Sequence, residues 1–415
     1  MGELTDARAT ADAVARRSYG KLVAFLAART RDVAGAEDAL SDAFASALAE
    51  WPANGSPANP EAWLLTVARR KMIDGSRRRR TGDAVADQLL ILMDELDDPV
   101  DEKAAAIPDN RLALMFACAH PAIDAGIRAP LILQAVMGLD AATIASAFLM
   151  APAAMGQRLV RAKKKIRDAG IPFRIPEREE LSERLDAVLE AIYAVFAEGW
   201  ADAAGTDVAR RDLAEEGIFL GRLVTELLPG EPEALGLVAL MLHAEARRRA
   251  RRDSRGEYVP LAEQDTSLWD MAMIDQAEAL LHEASRGGAI GRYQLEAALQ
   301  SAHVHRRLTN AANWAHVVQL YDALFAMSAS PVVAINRALA VAEMREPEAA
   351  LAALDEVAAD SRLVEYQPYW AARAALLTKT GAHAEARRAY DVAIGLERDD
   401  AVRRFLQQRQ SALPA

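Results

Sequence analysis

Among 415 residues there is a single cysteine, Cys118, which excludes an internal disulfide framework. Neither a signal peptide nor an apolar run of membrane-spanning length is legible, so the cytoplasm is the expected compartment and no membrane partner is expected. The period-two alternation of half-buried strands is nearly missing as well. With alanine abundant, the chain is expected to be all-α. An excess of basic charge is also missing, because 49 Lys and Arg stand against 60 Asp and Glu for a net charge of −11. Any attraction to DNA must therefore be local, and such a protein would bind DNA poorly alone.

Catalytic groupings are scarce too. His303 and His305 are the nearest His pair, but residues two apart on a helix point in different directions, so no metal site is expected. The stretch RGGAIGR, Arg286 to Arg292, has neither a preceding strand nor a following Lys-Ser/Thr. It reads as a helix-to-helix turn rather than a phosphate loop. Cys118 has no evident base partner and sits on an apolar helix, as a buried structural thiol would. The run RRRARRDSR, Arg247 to Arg255, reads as a solvated loop boundary, with a contact to nucleic acid or an acidic partner as the sharper alternative. No catalytic residue, cofactor or metal is expected, and the chain does not read as an enzyme.

What is present is organised around Leu139 to Gly170. This stretch reads as two short helices joined by a tight turn, with Pro152 setting φ at the start of the second. In the second helix Met155, Leu159, Ala162 and Ile166 recur at helical spacing, and Ala154, Arg158, Arg161 and Lys165 fall opposite. Ala141, Ile144, Ala145 and Phe148 give the first helix a stripe against which the second can lie. A basic helix held this way fits the DNA major groove; a solvated surface helix is the alternative. Gly156 inside it should cost about 1 kcal/mol relative to Ala, and Ala151 is a poor N-cap.

Upstream, three helices are expected. In the second of them Ala36, Leu40, Ala43, Phe44, Ala47 and Leu48 make an apolar face, leaving Glu37, Asp38 and Asp42 as an exposed acidic patch. The Pro-, Gly- and Asn-rich stretch Trp51 to Pro60 reads as a loop. A helix from Glu61 can pack Leu64, Val67, Ala68 and Met72 inward. Trp63 projects near the loop, and the end of the helix carries Arg69, Arg70, Lys71 and the run Arg77 to Arg80. An aromatic followed by clustered cations suits unstacked bases and a phosphate backbone, while Trp63 as plain core is the other reading.

Taken together, these pieces resemble the extracytoplasmic-function sigma factors of the sigma-70 family, in the group with a long helical TPR-like C-terminal extension. AEDALSDAF followed by Trp51, then NPEAWLLTVARRKMID with RRRR, is similar to region 2 of such factors. DNRLALMFACAHPAI and QRLVRAKKKIRDAGIPFRIP are similar to region 4. WDMAMIDQA, YQLEAA, LYDAL and SPVVAINRALAVAE extend the resemblance through the C-terminal half. It implies a promoter-recognition subunit whose partners are core RNA polymerase, through its β′ coiled coil and β subunit, and promoter DNA. By the same resemblance Glu37, Asp38 and Asp42 dock on the β′ coiled coil. Asn54, Ser56 and Asn59 contact a base taken out of the stack, while Trp63, Arg69, Arg70, Lys71, Arg77 and Arg78 take the −10 strand. Gln157, Arg158 and Arg161 read the −35 element, with Lys164 and Lys165 on phosphates.

The resemblance implies a sigma region 2 domain over 1–82, an acidic linker over 83–108, a region 4 helix-turn-helix domain over 109–171 and the extension over 172–415. From Asp83 to Glu102 the linker carries eight Asp and Glu and no Lys or Arg. It is either a solvated tether or a polyanion that threads the polymerase channel. In the extension Trp370, Ala374 and Leu377, then Ala386, Tyr390 and Ala393, match a tetratricopeptide unit, with Ala338, Val341 and Ala350 one unit earlier. A stacked solenoid should present a concave groove for a peptide or for another part of this chain. The extension is expected to regulate the DNA-binding halves in cis. A TPR-type scaffold or a stand-alone helix-turn-helix regulator is the competing reading. It has no need of the acidic helix, polar loop and basic helix upstream.

Overall fold

Short polar side chains start several helices of the N-terminal half. Helix α1 (Gly2–Thr30) leads to α2 (Val33–Asn54), where Asp32 Oδ1 accepts from the Gly35 amide at 3.0 Å. Helix α3 (Pro60–Arg79) starts on a proline, and Asn59 Oδ1 accepts from the Ala62 amide at 3.1 Å. This computed structural model describes residues 2–79, 110–148, 150–201, 208–288, 290–344 and 346–414. Among them there is no strand, only one isolated bridge between Arg252 and Tyr258, and the chain is all-α. No helix among the described residues is long and apolar enough to cross a membrane.

The first three helices share a core of Leu22, Val23, Leu26, Leu40, Leu64, Leu65 and Ala68, all buried. On α2 the buried stripe is Ala36, Leu40, Ala43, Ala47 and Trp51, a 4-3-4-4 spacing that stays on one side of a 3.6-residue helix. Leu48 lies off that line and stays 48% exposed, and Phe44 is only partly buried, so both depart from the expected apolar face. The loop is also shorter than expected. Helix α2 runs through Pro52 to Asn54 and ends where Gly55, at φ 80°, returns its amide to the Trp51 carbonyl.

Four further helices pack with this bundle: α4 (Arg111–Cys118), α5 (Ala125–Met137), α6 (Ala141–Ala147) and α7 (Pro152–Asp168). The approach of α1 to α5 requires a glycine, since a Cβ at Gly20 would lie 1.7 Å from the Val136 carbonyl oxygen. Helix α8 (Arg178–Ala201) is tied to α4 by the buried Arg184. Its guanidinium bonds Glu180 at 3.0 Å and the Phe116 carbonyl at 3.3 Å. Arg111, also buried, pairs with Glu216 on α9 (Val208–Leu227). One compact unit therefore comprises Met1–Gly199 and Val208–Leu220, and the other comprises Trp200–Asp207 and Gly221–Ala415. The division falls inside the 172–415 segment, not at its start. The acidic linker, 83–108, lies outside the described residues.

In the second unit the helices follow as α10 (Pro232–Glu245), α11 (Met271–Ala284), α12 (Arg292–Thr309), α13 (Trp314–Ser328), α14 (Pro331–Val341), α15 (Pro347–Asp355), α16 (Gln367–Lys379), α17 (His383–Leu396) and α18 (Asp400–Ser411). From α12 onward each packs against the next. Ala374, Leu377, Ala386, Tyr390 and Ala393 form one cluster with Trp370 against it, and Ala338, Val341 and Ala350 belong to a second. The array closes on itself. Arg404 pairs with Glu257 at 3.0 Å, Arg409 with Glu263 at 2.8 Å and Arg252 with Asp399, and Tyr258 meets Phe405 edge-on at 5.3 Å.

The run Arg247 to Arg255 is solvated only in part: Arg249, Ser254 and Arg255 are exposed, while Arg247, Arg248, Arg251 and Arg252 are held by partners. Arg247 is buried and donates to the His243 carbonyl at 3.0 Å and to Gln300 at 2.5 Å, and Arg248 bonds Glu245 at 2.6 Å. Arg251 donates to the Trp200 carbonyl at 2.5 Å with its guanidinium 3.5 Å over that ring. A guanidinium can enter a protein interior where its N–H groups meet acceptors, which is what these arginines do. The first turn of α12 has two of its amides taken: the Glu233 carboxylate accepts from Tyr293 and Gln294 at 3.0 and 3.1 Å. His303 is edge-on to Trp314 at 6.0 Å, and His305 is exposed. Among the described residues no three His, Cys, Asp or Glu side chains group as metal ligands.

His243 is fully buried, and burial, helped by the neighbouring Arg247, pushes its pKa from 6.5 down to about 4. The unfolded chain takes up this proton near pH 6.5 while the folded chain resists it to about 4. Stability is therefore complete above pH 6.5 and falls as the pH drops towards 4, by roughly 3 kcal/mol at most from this residue. His243→Met should flatten that part of the pH dependence of the melting temperature. An unchanged slope would remove His243 from the account.

Candidate nucleic-acid interface

On α7 the stripe Met155, Leu159, Ala162 and Ile166 is buried, which orients the rest of the helix. Asp140 holds the preceding helix, accepting from the Ala142 and Thr143 amides at 2.8 and 2.9 Å, and these bonds keep its carboxyl below the usual range. Of the residues expected to face DNA, Gln157, Arg161, Lys164 and Lys165 are exposed. Arg158 is engaged elsewhere, its guanidinium 3.0 Å from Asp124 and 3.5 Å from the Met150 sulfur. Arg161 donates back to the Gln157 carbonyl at 3.3 Å.

In the first three helices Asn54 and Ser56 are exposed. Asn59 uses its side-chain oxygen to cap α3, so it positions the loop as well as bordering it. Trp63 is partly buried and meets Trp51 edge-on, ring centres 5.4 Å apart. Arg69 lies 5.2 Å over the Phe25 ring while Arg29 lies 4.2 Å over it, and burial followed by the Arg29 charge lowers the Arg69 pKa. Arg70 and Lys71 are exposed, and Arg77 and Arg78 fall on the last turns of α3.

The acidic face of α2 departs most from expectation. Asp38 and Asp42 are exposed, but Glu37 is not. Lys163 of α7 donates to Glu37 Oε2 at 2.6 Å, with the two side chains 12% and 13% exposed. One turn on, Arg167 lies 3.9 Å from Asp32. Burial raises the Glu37 pKa and the lysine partly offsets it. Lys163 was not among the expected site residues. Its only signal in the sequence is its place beside the buried stripe, one residue after Ala162.

Comparison with known proteins adds to this geometry. The sigma-70 region 2 family model matches residues 14–81, and a family of unknown function (DUF6596) matches residues 184–285. The uncharacterized protein R00370 of Rhizobium meliloti (strain 1021) is 39% identical over 385 residues, covering 92% of this chain and 90% of that protein. No solved structure matches. The chain belongs to the family of that protein, and its N-terminal segment carries a sigma-70 region 2. Its sigma-70 region 2 implies binding to core RNA polymerase and promoter DNA, in a role in transcription initiation. The DUF6596 match begins in α8, within the first unit, and ends just past α11 in the second.

Gly156 bears on how well α7 is built. A Cβ there would meet nothing nearer than Ala141 Cβ at 4.0 Å, so no neighbour demands a glycine. Ala151 gives the helix no side-chain cap, leaving Pro152 as its local start signal. Gly156→Ala should therefore stabilise the first unit by about 1 kcal/mol, seen as a higher denaturant midpoint. Lower stability would mean that the helix axis shifts to fill the space.

Proposed function

We propose that this chain is an extracytoplasmic-function-type sigma factor of the cytoplasm. In this reading it directs core RNA polymerase to promoters by reading a −10 element with region 2 and a −35 element with region 4. The match to region 2 over 14–81 carries the proposal, joined by a second basic helix whose buried stripe turns Gln157, Arg161, Lys164 and Lys165 outward. Asp38 and Asp42 are assigned to the β′ coiled coil, with Glu37 joining them once free of Lys163. Asn54 and Ser56 border the displaced base, and Arg70 and Lys71, with Arg77 and Arg78 beyond, follow the −10 strand. Arg161 and Gln157 are the base readers of α7, a helix-turn-helix recognition helix. Lys164 and Lys165 take phosphates, and Arg158 is steadied by Asp124.

The C-terminal array, TPR-like in its α16 and α17 pair, is assigned a role in cis. Removing everything after Arg174 is a poor test of that role, since it would delete the Arg184 and Glu216 partners of α4.

The deciding assay is run-off transcription from a genomic promoter pool with core polymerase, with and without this protein. Transcripts that share two upstream motifs are expected. Arg161→Ala should cost about 1–3 kcal/mol of discrimination at one −35 position. Lys165→Ala should weaken all promoters alike and lower the salt slope by about 0.9. Equal loss at every promoter with Arg161→Ala would remove it from base readout.

A further inference from the structure

Helix α7 is packed against the helix that carries the expected polymerase contacts. The contact is specific rather than incidental. Lys163 reaches Glu37 at 2.6 Å, Arg167 lies 3.9 Å from Asp32, and α1 approaches α5 so closely that only glycine fits at position 20. Tyr19 fills the space beside it, its ring against Gly138, which closes α5 in a left-handed turn at φ 67°. An acidic surface that must meet a polymerase is here partly covered by the chain's own basic helix.

We propose that the Glu37–Lys163 contact is an autoinhibitory latch, so that packing of α7 on α2 and docking of core polymerase on α2 exclude one another. The proposal rests on the sigma-factor reading. A latch must be releasable, and this one is built to be. Glu37 Oε1 is buried with no hydrogen-bond partner, and burial raises the Glu37 pKa despite the lysine. The closed form thus leaves the carboxylate half satisfied. Lys163 is the suitable lever because it is not among the residues assigned to promoter DNA.

Two variants of the full chain open the latch by different means. Lys163→Glu opposes Glu37 with a like charge. Gly20→Ala puts a methyl group 1.7 Å from the Val136 carbonyl oxygen, and its three nearest neighbours all belong to that residue. Hydrogen exchange at α2 and α7 reports opening without reference to polymerase, and titration with core polymerase reports docking. Both variants should exchange faster at the two faces and bind core roughly 5–150-fold more tightly than the parent. Faster exchange with unchanged or weaker binding, in a parent that does bind, would overturn the latch and make the contact part of the working fold. Unchanged exchange in both variants would overturn it as well. If neither parent nor variants bind core although both variants open, the sigma-factor reading has failed, and the latch with it.

Discussion

A carboxylate and an ammonium withdrawn from water together tie the basic helix α7 to the acidic helix α2. Neither Glu37 nor Lys163 can be sheltered unpaired, because a buried lone charge costs several kcal/mol. Their pairing requires α7 to lie along α2, and the rest of the packing accommodates that. Gly20 lets α5 come close, Asp140 and Pro152 start the two helices at the right places, and Arg184 and Arg111 bring α8 and α9 onto α4. Regions far apart in the sequence form one body because small residues and paired charges meet where the backbones are nearest.

Much of this unit was legible in the sequence because it rests on local periodicity. The stripe of Met155, Leu159, Ala162 and Ile166 recurs at helical spacing within one helix and needs no knowledge of a partner. The burial of Glu37 depends on a residue 126 positions away, and one acidic side chain in a solvated-looking pattern gives no hint of it. The difference at Leu48 and Trp51 has a simpler cause. Two stripes one residue apart differ only in phase, and beyond Ala47 the buried one passes through Trp51 and leaves Leu48 exposed. Trp51 and Trp63 pack together, so an aromatic assigned to nucleic acid is half committed to the core.

The arginine run of the second unit was the least legible feature. Charged residues in a row usually mean solvent. Here Arg247 and Arg251 end on main-chain carbonyls, and a carbonyl acceptor leaves no trace in a sequence because every residue has one. Arg404 and Arg409 depend on carboxylates about 150 positions earlier. Local repeats near Trp370 and Tyr390 identified helix pairs but not the return of the last helix to the 252–263 loop, which is a long-range closure.

That closure sets an order of events during synthesis. The partners of Arg252, Glu257 and Glu263 are Asp399, Arg404 and Arg409, so the second unit cannot complete its ring until those residues have left the ribosome. The first unit has all its residues once Leu220 emerges. At about 5–20 residues per second, tens of seconds of translation separate the two. Every newly made copy therefore passes through a period in which the N-terminal body is whole and the C-terminal array is still open. Any control by the array would begin only after that interval.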